Sequence, residues 1–353
     1  MPDAGRDVER AVKHVEFGLD TFGGVTRDAD DQPVPHPQVV RDLVSDAVLA
    51  DQVGLDFFGV GEHHREDFAV SSPEMVLAAV ASQTRRIRLG STVTVLSSDD
   101  PVRVFERFAT LDAVSNGRAE IVAGRGSFTE SFPLFGYDLG DYDVLFEEKL
   151  ALLAQLVREE PVTWSGTTRA ALSEQRVYPT TEHGLPVWVG VGGSPESVVR
   201  TARYGFGLFL AIIGGAADRF LPYVDLFERA QDQLGVPRQR LAVHSPGLVA
   251  ATDEQARELT YPGWERMRRR MAVDRGWPLP SPGEFEHEVT SGSLYVGSPD
   301  TVAERVAATV SVLGVDRFDL KYDQQVQHAD QQESIRLFGE RVVPQIKDRL
   351  SVV

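Results

Sequence analysis

The sequence predicts an α/β fold, a (β/α)8 TIM barrel with insertions at the C-terminal face of the barrel. Apolar, strand-like runs recur along the 353 residues with helical segments between most of them, and no Gly/Ser/Pro-rich linker divides the chain. Eight such runs favour a closed barrel over an open doubly wound sheet. We therefore expect one domain over residues 1–353, with insertions at about 126–143, 161–180 and 252–297.

The eight predicted strands are short runs rich in β-branched and aromatic residues. They are VEFGLDT from Val15, LDFFGV from Leu55, IRLGSTVTV from Ile87, AEIVAG from Ala119, PVWVGVG from Pro186, GLFLAII from Gly207, LAVHSPGLVA from Leu241 and DRFDLKY from Asp316.

The segments between the strands carry helical signals. Apolar residues at intervals of three and four predict helix faces that pack on the sheet, for example Val104, Phe108 and Leu111. Ser-Pro-acid triplets from Ser72, Ser194 and Ser298 predict helix starts, with Ser as the cap and Pro at the first helical position.

The predicted insertions are longer than a minimal barrel requires. The stretch 126–143 predicts a long loop, residues 161–180 a small hairpin, and residues 252–297 overfill the segment before the eighth strand. Insertions at this end of a barrel commonly shape the substrate pocket.

Composition excludes several classes of function. The chain has no Cys, so it can form no disulfide, thiolate nucleophile or Cys-ligated metal site. Its net charge of −17 argues against a nucleic-acid partner, and we interpret the basic run at 266–270 as a solvated helix face. No apolar run is long enough to cross a membrane, and the charged N-terminus lacks a signal core, so we expect a cytoplasmic protein.

Two adjacent histidines follow the second predicted strand, in the stretch GEHHRED from Gly61. Barrel enzymes carry their active sites at the C-terminal ends of the strands, so Glu62, His63 and His64 are candidate site residues. Exposed or capping histidines in a turn are the alternative. Because no HExxH spacing occurs, we expect no metal site.

Two further strand ends carry signals for a phosphate. After the fourth strand, Gly124, Arg125, Gly126 and Ser127 combine close backbone approach with a planar cation and a hydroxyl. An Arg paired with an acid in a Gly-rich turn is the alternative there.

After the fifth strand, Gly192 and Gly193 lead into the helix start at Ser194, with Ser197 one turn further. Glu196 must turn outward for this site to accept an anion. Together these strand ends fit one phosphate between Arg125 and the Ser194 helix.

In this order, the motifs resemble the bacterial luciferase-like, flavin-dependent monooxygenase family. The similarity covers most of the chain and is strongest in FFGVGEHH, in the segment from IRLGSTVTV to FPLFGYDL, in PVWVGVGGSPESVVRTARYGFG, and in VGSPDTVAERV with GVDRFDLKYD. The chain has no Cys near the flavin, as some luciferases have, and its insertions match no single subfamily.

The resemblance implies that FMN binds at the barrel mouth, with its phosphate near Arg125, Ser127, Gly193, Ser194 and Ser197. It implies a non-prolyl cis peptide between Thr92 and Val93 beneath the flavin ring. It also implies that His63 is the catalytic histidine, with Glu62 and His64 as supports, and that the first helices form a homodimer or a higher oligomer.

The expected reaction is oxidation of a small organic substrate, such as an aldehyde, with reduced FMN and O2. No GxGxxG fingerprint for a nicotinamide is present, so a separate flavin reductase is expected to supply reduced FMN, and weak NADH binding at the mouth stays open. The alternatives are a deazaflavin-dependent dehydrogenase and a flavin-binding protein without turnover.

Overall fold

The structure is a computed structural model that describes residues 14–126, 128–322 and 326–351. Its strands are β1 (Glu16–Thr21), β2 (Phe57–Val60), β3 (Arg88–Ser91), β4 (Thr94–Val95), β5 (Ala119–Gly124), β6 (Val162–Trp164), β7 (Leu172–Gln175), β8 (Val187–Val191), β9 (Gly207–Ala211), β10 (Leu241–Val249), β11 (Tyr295–Gly297) and β12 (Arg317–Lys321). Its helices are α1 (His36–Gln52), α2 (Pro73–Ala81), α3 (Pro101–Ser115), α4 (Ser131–Phe135), α5 (Tyr142–Leu156), α6 (Pro195–Tyr204), α7 (Leu221–Leu234), α8 (Asp253–Arg275), α9 (Pro282–Thr290), α10 (Pro299–Leu313), α11 (His328–Leu337) and α12 (Val343–Ser351).

Parallel strands close into a barrel. Pairing runs from β1 to β2 and β3, then to β5, β8, β9, β10 and β12, and β12 pairs back with β1. The eight predicted strands all lie in this barrel, which confirms the (β/α)8 fold. The third predicted strand is interrupted at Thr92–Val93, and its second part is β4, which also pairs with β5.

The helices pack their predicted apolar faces on the barrel, since Val104, Phe108 and Leu111 are all buried. Each Ser-Pro-acid triplet begins a helix, α2, α6 and α10, but only two of the three Ser residues act as side-chain caps. Ser194 and Ser298 accept backbone hydrogen bonds, whereas Ser72 accepts none. The backbone ψ angle of Ser72 is 77°, whereas the two capping residues have the more extended values of 115° at Ser194 and 164° at Ser298.

The predicted insertions carry structure of their own. Residues 126–143 include α4, residues 161–180 include the antiparallel hairpin β6–β7, and residues 252–297 include α8, α9 and β11. The basic run lies on α8 and is paired with acids, for example Arg269 with Glu265 at 2.8 Å and Arg270 with Glu66 at 3.3 Å. The single-domain organisation with these boundaries stays a prediction.

A buried ionic cluster fills the lower interior of the barrel, near the first residues of the strands. Arg317 donates to Glu120 at 2.9 Å and the Trp188 indole donates to the same carboxylate at 2.6 Å. Burial opposes ionisation of Glu120, but the charges of Arg317 and Arg88 and their hydrogen bonds lower its pKa to about 2. The cluster therefore occupies the interior of the barrel with paired charges that are buried at Arg317 and Glu120.

Candidate active site

His63 lies at the barrel mouth, three residues after β2 ends. Its side chain is only 9% exposed, and its ring contacts three phenylalanines. The ring centroids lie 4.3 Å from Phe68, 4.8 Å from Phe128 and 5.2 Å from Phe22. The predicted catalytic histidine therefore lies in an apolar, largely water-excluded environment.

A carboxylate from the loop after β5 approaches the same histidine. Glu130 Oε1 lies 3.5 Å from His63 Nδ1 and accepts a 3.4 Å hydrogen bond from the backbone N–H of His64. Burial raises the pKa of Glu130, but hydrogen bonds from His63 and its own backbone, together with the His63 charge, lower it below the ordinary value. Sequence reasoning missed Glu130 because it lies 67 residues from His63, in a loop without periodicity.

Glu62 and His64 precede and follow His63 in the sequence, and their side chains contact different parts of the mouth. Glu62 Oε1 accepts a hydrogen bond from the backbone N–H of Val95 on β4. Its other oxygen lies 3.3 Å from His64 Nε2, without hydrogen-bonding geometry. The His64 ring packs edge-on against Phe135 of α4 at 5.0 Å. These contacts join the loop after β2 to β4 and α4. The role of Glu62 and His64 as supports of His63 stays a prediction.

The Thr92–Val93 peptide is cis, as the resemblance implied. Val93 packs against two strand ends at once, because a Cβ on Gly124 or Gly190 would approach its side chain within 2.5 or 2.8 Å. The absence of a side chain at Gly124 thus makes room for Val93, which fills the space that a Cβ would occupy. The approach of a ligand to the Gly124 backbone stays a prediction.

Arg125 follows β5 and is partly exposed. Its Nη1 donates to Asp143 at 3.0 Å, and its guanidinium lies 5.3 Å from the Tyr142 ring centroid. Tyr142 also donates to the Gly126 carbonyl at 2.9 Å. The paired-Arg alternative thus describes this structure, although Asp143 is 83% exposed and such a surface contact is weak. Ser127 lies outside the described residues.

The N-terminus of α6 provides the second half of the predicted phosphate site. A Cβ on Gly192 would meet nothing within 4 Å, and Gly193 has a φ of 131°. Ser194 Oγ accepts from the Ser197 N–H at 3.3 Å and donates to Glu196 at 2.9 Å. Ser197 Oγ accepts from Arg200 at 3.2 Å. Glu196 is fully exposed, so it can turn away from the helix end.

The two halves belong to neighbouring strands, since β5 pairs with β8 and α6 follows β8. The pKa of Glu196 is lowered by its own backbone N–H, by Ser194, and then by the charges of Arg125 and Arg200. Arg125 and α6 therefore follow adjacent strands, at the same end of the barrel.

The α8 insertion reaches the mouth directly through Arg275 and, by way of Asp274, through Arg65 of the loop after β2. Arg65 and Arg275 lie on the Phe128 ring, 4.5 and 4.4 Å from its centroid. Arg65 also donates to Asp274 at 2.9 Å. Because Phe128 contacts His63 as well, α8 helps to hold the cover over the histidine. Sequence reasoning identified the insertion but not these contacts.

Within the described residues, no three His, Asp or Glu side chains are grouped to hold a metal ion. No helix in those ranges is both long and apolar enough to cross a membrane.

A closed (β/α)8 barrel with a covered histidine at the C-terminal ends of its strands has the arrangement in which barrel enzymes carry their active sites. The profile of the family described as luciferase-like monooxygenase matches residues 17–317, and the chain belongs to that family.

Several relatives are similar over shorter or longer stretches. A Sinorhizobium fredii protein called y4vJ is 25% identical over 332 residues, 88% of this chain and 93% of its own. The 4-hydroxyprotoasukamycin monooxygenase of Streptomyces nodosus is 30% identical over 65% of this chain and 64% of its own, just under two thirds. The F420-dependent glucose-6-phosphate dehydrogenase of Amycolatopsis mediterranei is 29% identical over 52% and 58%.

Solved structures share the fold. The monooxygenase RslO1 from Streptomyces bottropensis superposes with a TM-score of 0.81 at 22% identity, over 94% of this chain and 99% of its own. The oxygenating constituent of 3,6-diketocamphane monooxygenase from Pseudomonas putida, a type II Baeyer–Villiger monooxygenase solved with FMN, has a TM-score of 0.75 at 22% identity over 94% and 98%. The relatives indicate an oxidoreductase.

Proposed function

We propose that the protein is a monooxygenase that uses reduced FMN and O2 to oxidise a small organic substrate, such as an aldehyde. The observation that carries the proposal is the placement of Arg125 and the start of α6 after the neighbouring strands β5 and β8, at the end of the barrel that also carries the covered His63. Family membership supports it.

The phosphate of FMN fits the cradle from Gly192 to Ser197. The Gly192 side of the cradle is open, the positive end of the α6 dipole favours an anion, and Arg125 adds a planar cation from the neighbouring strand end. Asp143 and Glu196 now contact Arg125 and Ser194, and both acids are exposed, so a phosphate can replace them at small cost.

When bound, FMN supplies the oxygen and redox chemistry. The chain excludes water with Phe22, Phe68 and Phe128, which surround His63. His63 exchanges a proton with the ligand, and Glu130 orients its ring through Nδ1. Glu62 and His64 hold the loop in place. Thr92 and Val93, joined by the cis peptide, would help to hold the flavin ring at the mouth.

We further propose that a separate flavin reductase delivers reduced FMN, and that NADH binds only weakly at the barrel mouth. We also propose that the protein is cytoplasmic, that it forms a homodimer or higher homo-oligomer, and that it has no nucleic-acid or membrane partner.

A deazaflavin-dependent dehydrogenase is the second candidate, because an F420-dependent dehydrogenase is among the relatives. An anaerobic titration with reduced FMN, repeated with reduced deazaflavin and followed by air and an absorbance scan, separates the two. The monooxygenase should bind reduced FMN tightly and give a slowly decaying hydroperoxide band. Preference for deazaflavin without an oxygen adduct would contradict it.

A flavin-binding protein without turnover is the third candidate. Flavin binding with no oxidation across a broad panel of aldehydes and related small molecules would favour it. Oxidation of any panel member that depends on both FMN and O2 would rule it out.

A further inference from the structure

A second histidine–carboxylate pair lies deeper in the mouth. Asp20 is near the end of β1 and His244 is in the middle of β10, and the distance from His244 Nδ1 to Asp20 Oδ2 is 2.9 Å. The Asp20 side chain is fully buried and that of His244 is 5% exposed. Neither belongs to the motifs that carry the family resemblance to FMN enzymes.

His244 points into the barrel, where its ring neighbours are Phe209 and Phe22. On β10 it is in register with Asp319 of β12 and Ala211 of β9. Its ring lies 5.2 Å from Phe209 below and 6.3 Å from Phe22, and Phe22 packs edge-on against His63. Phe22 is therefore a ring neighbour of both histidines.

Asp20 determines how His244 can act. A carboxylate accepts from the N–H at Nδ1, so the lone pair of the neutral ring is at Nε2, and a ligand must offer a donor to that atom. The titratable groups near the pair include Asp319, which is in register with His244, and Arg317, 3.2 Å from Asp319, with Glu120 and Glu16 also acting on Asp319. Lys321 Nζ lies 4.4 Å from the Phe22 ring centroid. A buried pair of this kind is fixed in orientation before a ligand arrives.

The geometry points to His244 as a second ligand-contacting residue, which Asp20 positions so that Nε2 accepts a hydrogen bond from an N–H or O–H group of the ligand. This inference rests on the proposed function for the place of the ligand. The donor is either the ring N–H of the flavin or a hydroxyl of the substrate.

The tautomer is tested first, on the wild-type protein without ligand. Nitrogen-15 NMR of protein labelled only at histidine, with His244 assigned from its missing signal in His244→Gln, should show a protonated Nδ1 and a bare Nε2. A proton at Nε2 would overturn the inference, whatever the protein binds.

The source of the donor is tested with two probes. In one arm FMN is titrated; in the other, phenol and anisole are compared in the presence of FMN, because only phenol donates an O–H. His244→Phe keeps an aromatic ring but removes the acceptor, whereas His244→Gln places an oxygen near the position of Nε2. We expect His244→Phe to weaken the binding of either FMN or phenol about tenfold, according to which of them donates to Nε2. His244→Gln should recover much of the affinity for that same ligand.

The two arms give distinct results. Weaker FMN binding identifies the flavin N–H, and an Nε2 shift with phenol but not anisole identifies a substrate hydroxyl. If the wild-type protein binds FMN but His244 responds to neither probe, the inference fails and the FMN assignment stands. If the wild-type protein binds no FMN, the proposed function fails; a selective response to phenol would still support His244, and no response would overturn it.

Discussion

At the scale of single residues, His63 is expected to act on the reaction more than on cofactor binding. Its ring is covered by phenylalanines, and its Nδ1 faces Glu130. His63→Ala should lower turnover by about 10²–10⁴-fold, as loss of a proton-transferring group does, with little change in FMN affinity. Steady-state kinetics and flavin titration measure the two effects. His183→Ala, at an exposed position, is the control; unchanged oxidation by His63→Ala would refute the assigned role.

Glu130 gives a prediction about pH. Its native pKa lies below the ordinary value, so its contact with His63 stabilises the fold above the unfolded pKa and is lost as pH falls through the native one. Glu130→Gln should therefore lower the free energy of unfolding at pH 7 and by less in acid. Urea unfolding at several pH values measures this. The exposed Glu160→Gln is the control, and a Glu130→Gln effect that is constant with pH would contradict the prediction.

At the scale of elements, two helix starts make a matched pair. Ser194 caps α6 and Ser298 caps α10 in the same way, but only α6 lies at the proposed phosphate site. Both Ser→Ala variants should lose about 1 kcal/mol of stability. Only Ser194→Ala should also lose the preference for FMN over riboflavin, measured by fluorescence titration. If the two variants had the same affinities for FMN and for riboflavin, α6 would not be part of the phosphate site.

The sequence allowed the elements to be predicted better than their contacts. Strand runs and Ser-Pro-acid triplets report local preferences, so β5 and the starts of α6 and α10 were expected where they occur. Glu130 and Phe128 lie in a loop without periodicity, and only the closed barrel brings them to His63. The sequence places His244 in a strand and gives no sign of its contact with Asp20, because the two residues are 224 positions apart.

At the scale of the whole molecule, the barrel interior contains a carboxyl whose pKa is raised by burial. Burial raises the pKa of Asp319 well above the ordinary value, although Arg317 lies 3.2 Å away. Because the native pKa is raised, the stability from this group is present below the unfolded pKa and lost as pH rises.

Asp319→Asn keeps the shape of this side chain without the titration. The variant should therefore gain stability relative to wild type as pH rises from 4 to 7. Urea unfolding across that range checks the trend, with the exposed Asp348→Asn as the control. A wild-type advantage that grows with pH would mean that Asp319 is ionised in the native protein.

The acidic neighbours of Arg125 and Ser194 affect how fast a flavin phosphate can arrive. Asp143 and Glu196 are at the cradle, and the chain carries a net charge of −17, so an incoming dianion is repelled. Added salt screens this repulsion over about 10 Å at 0.1 M. Stopped-flow association of FMN should therefore accelerate with ionic strength, whereas uncharged riboflavin should not. In dilute salt the acids at the cradle would act as a kinetic barrier to capture of the cofactor.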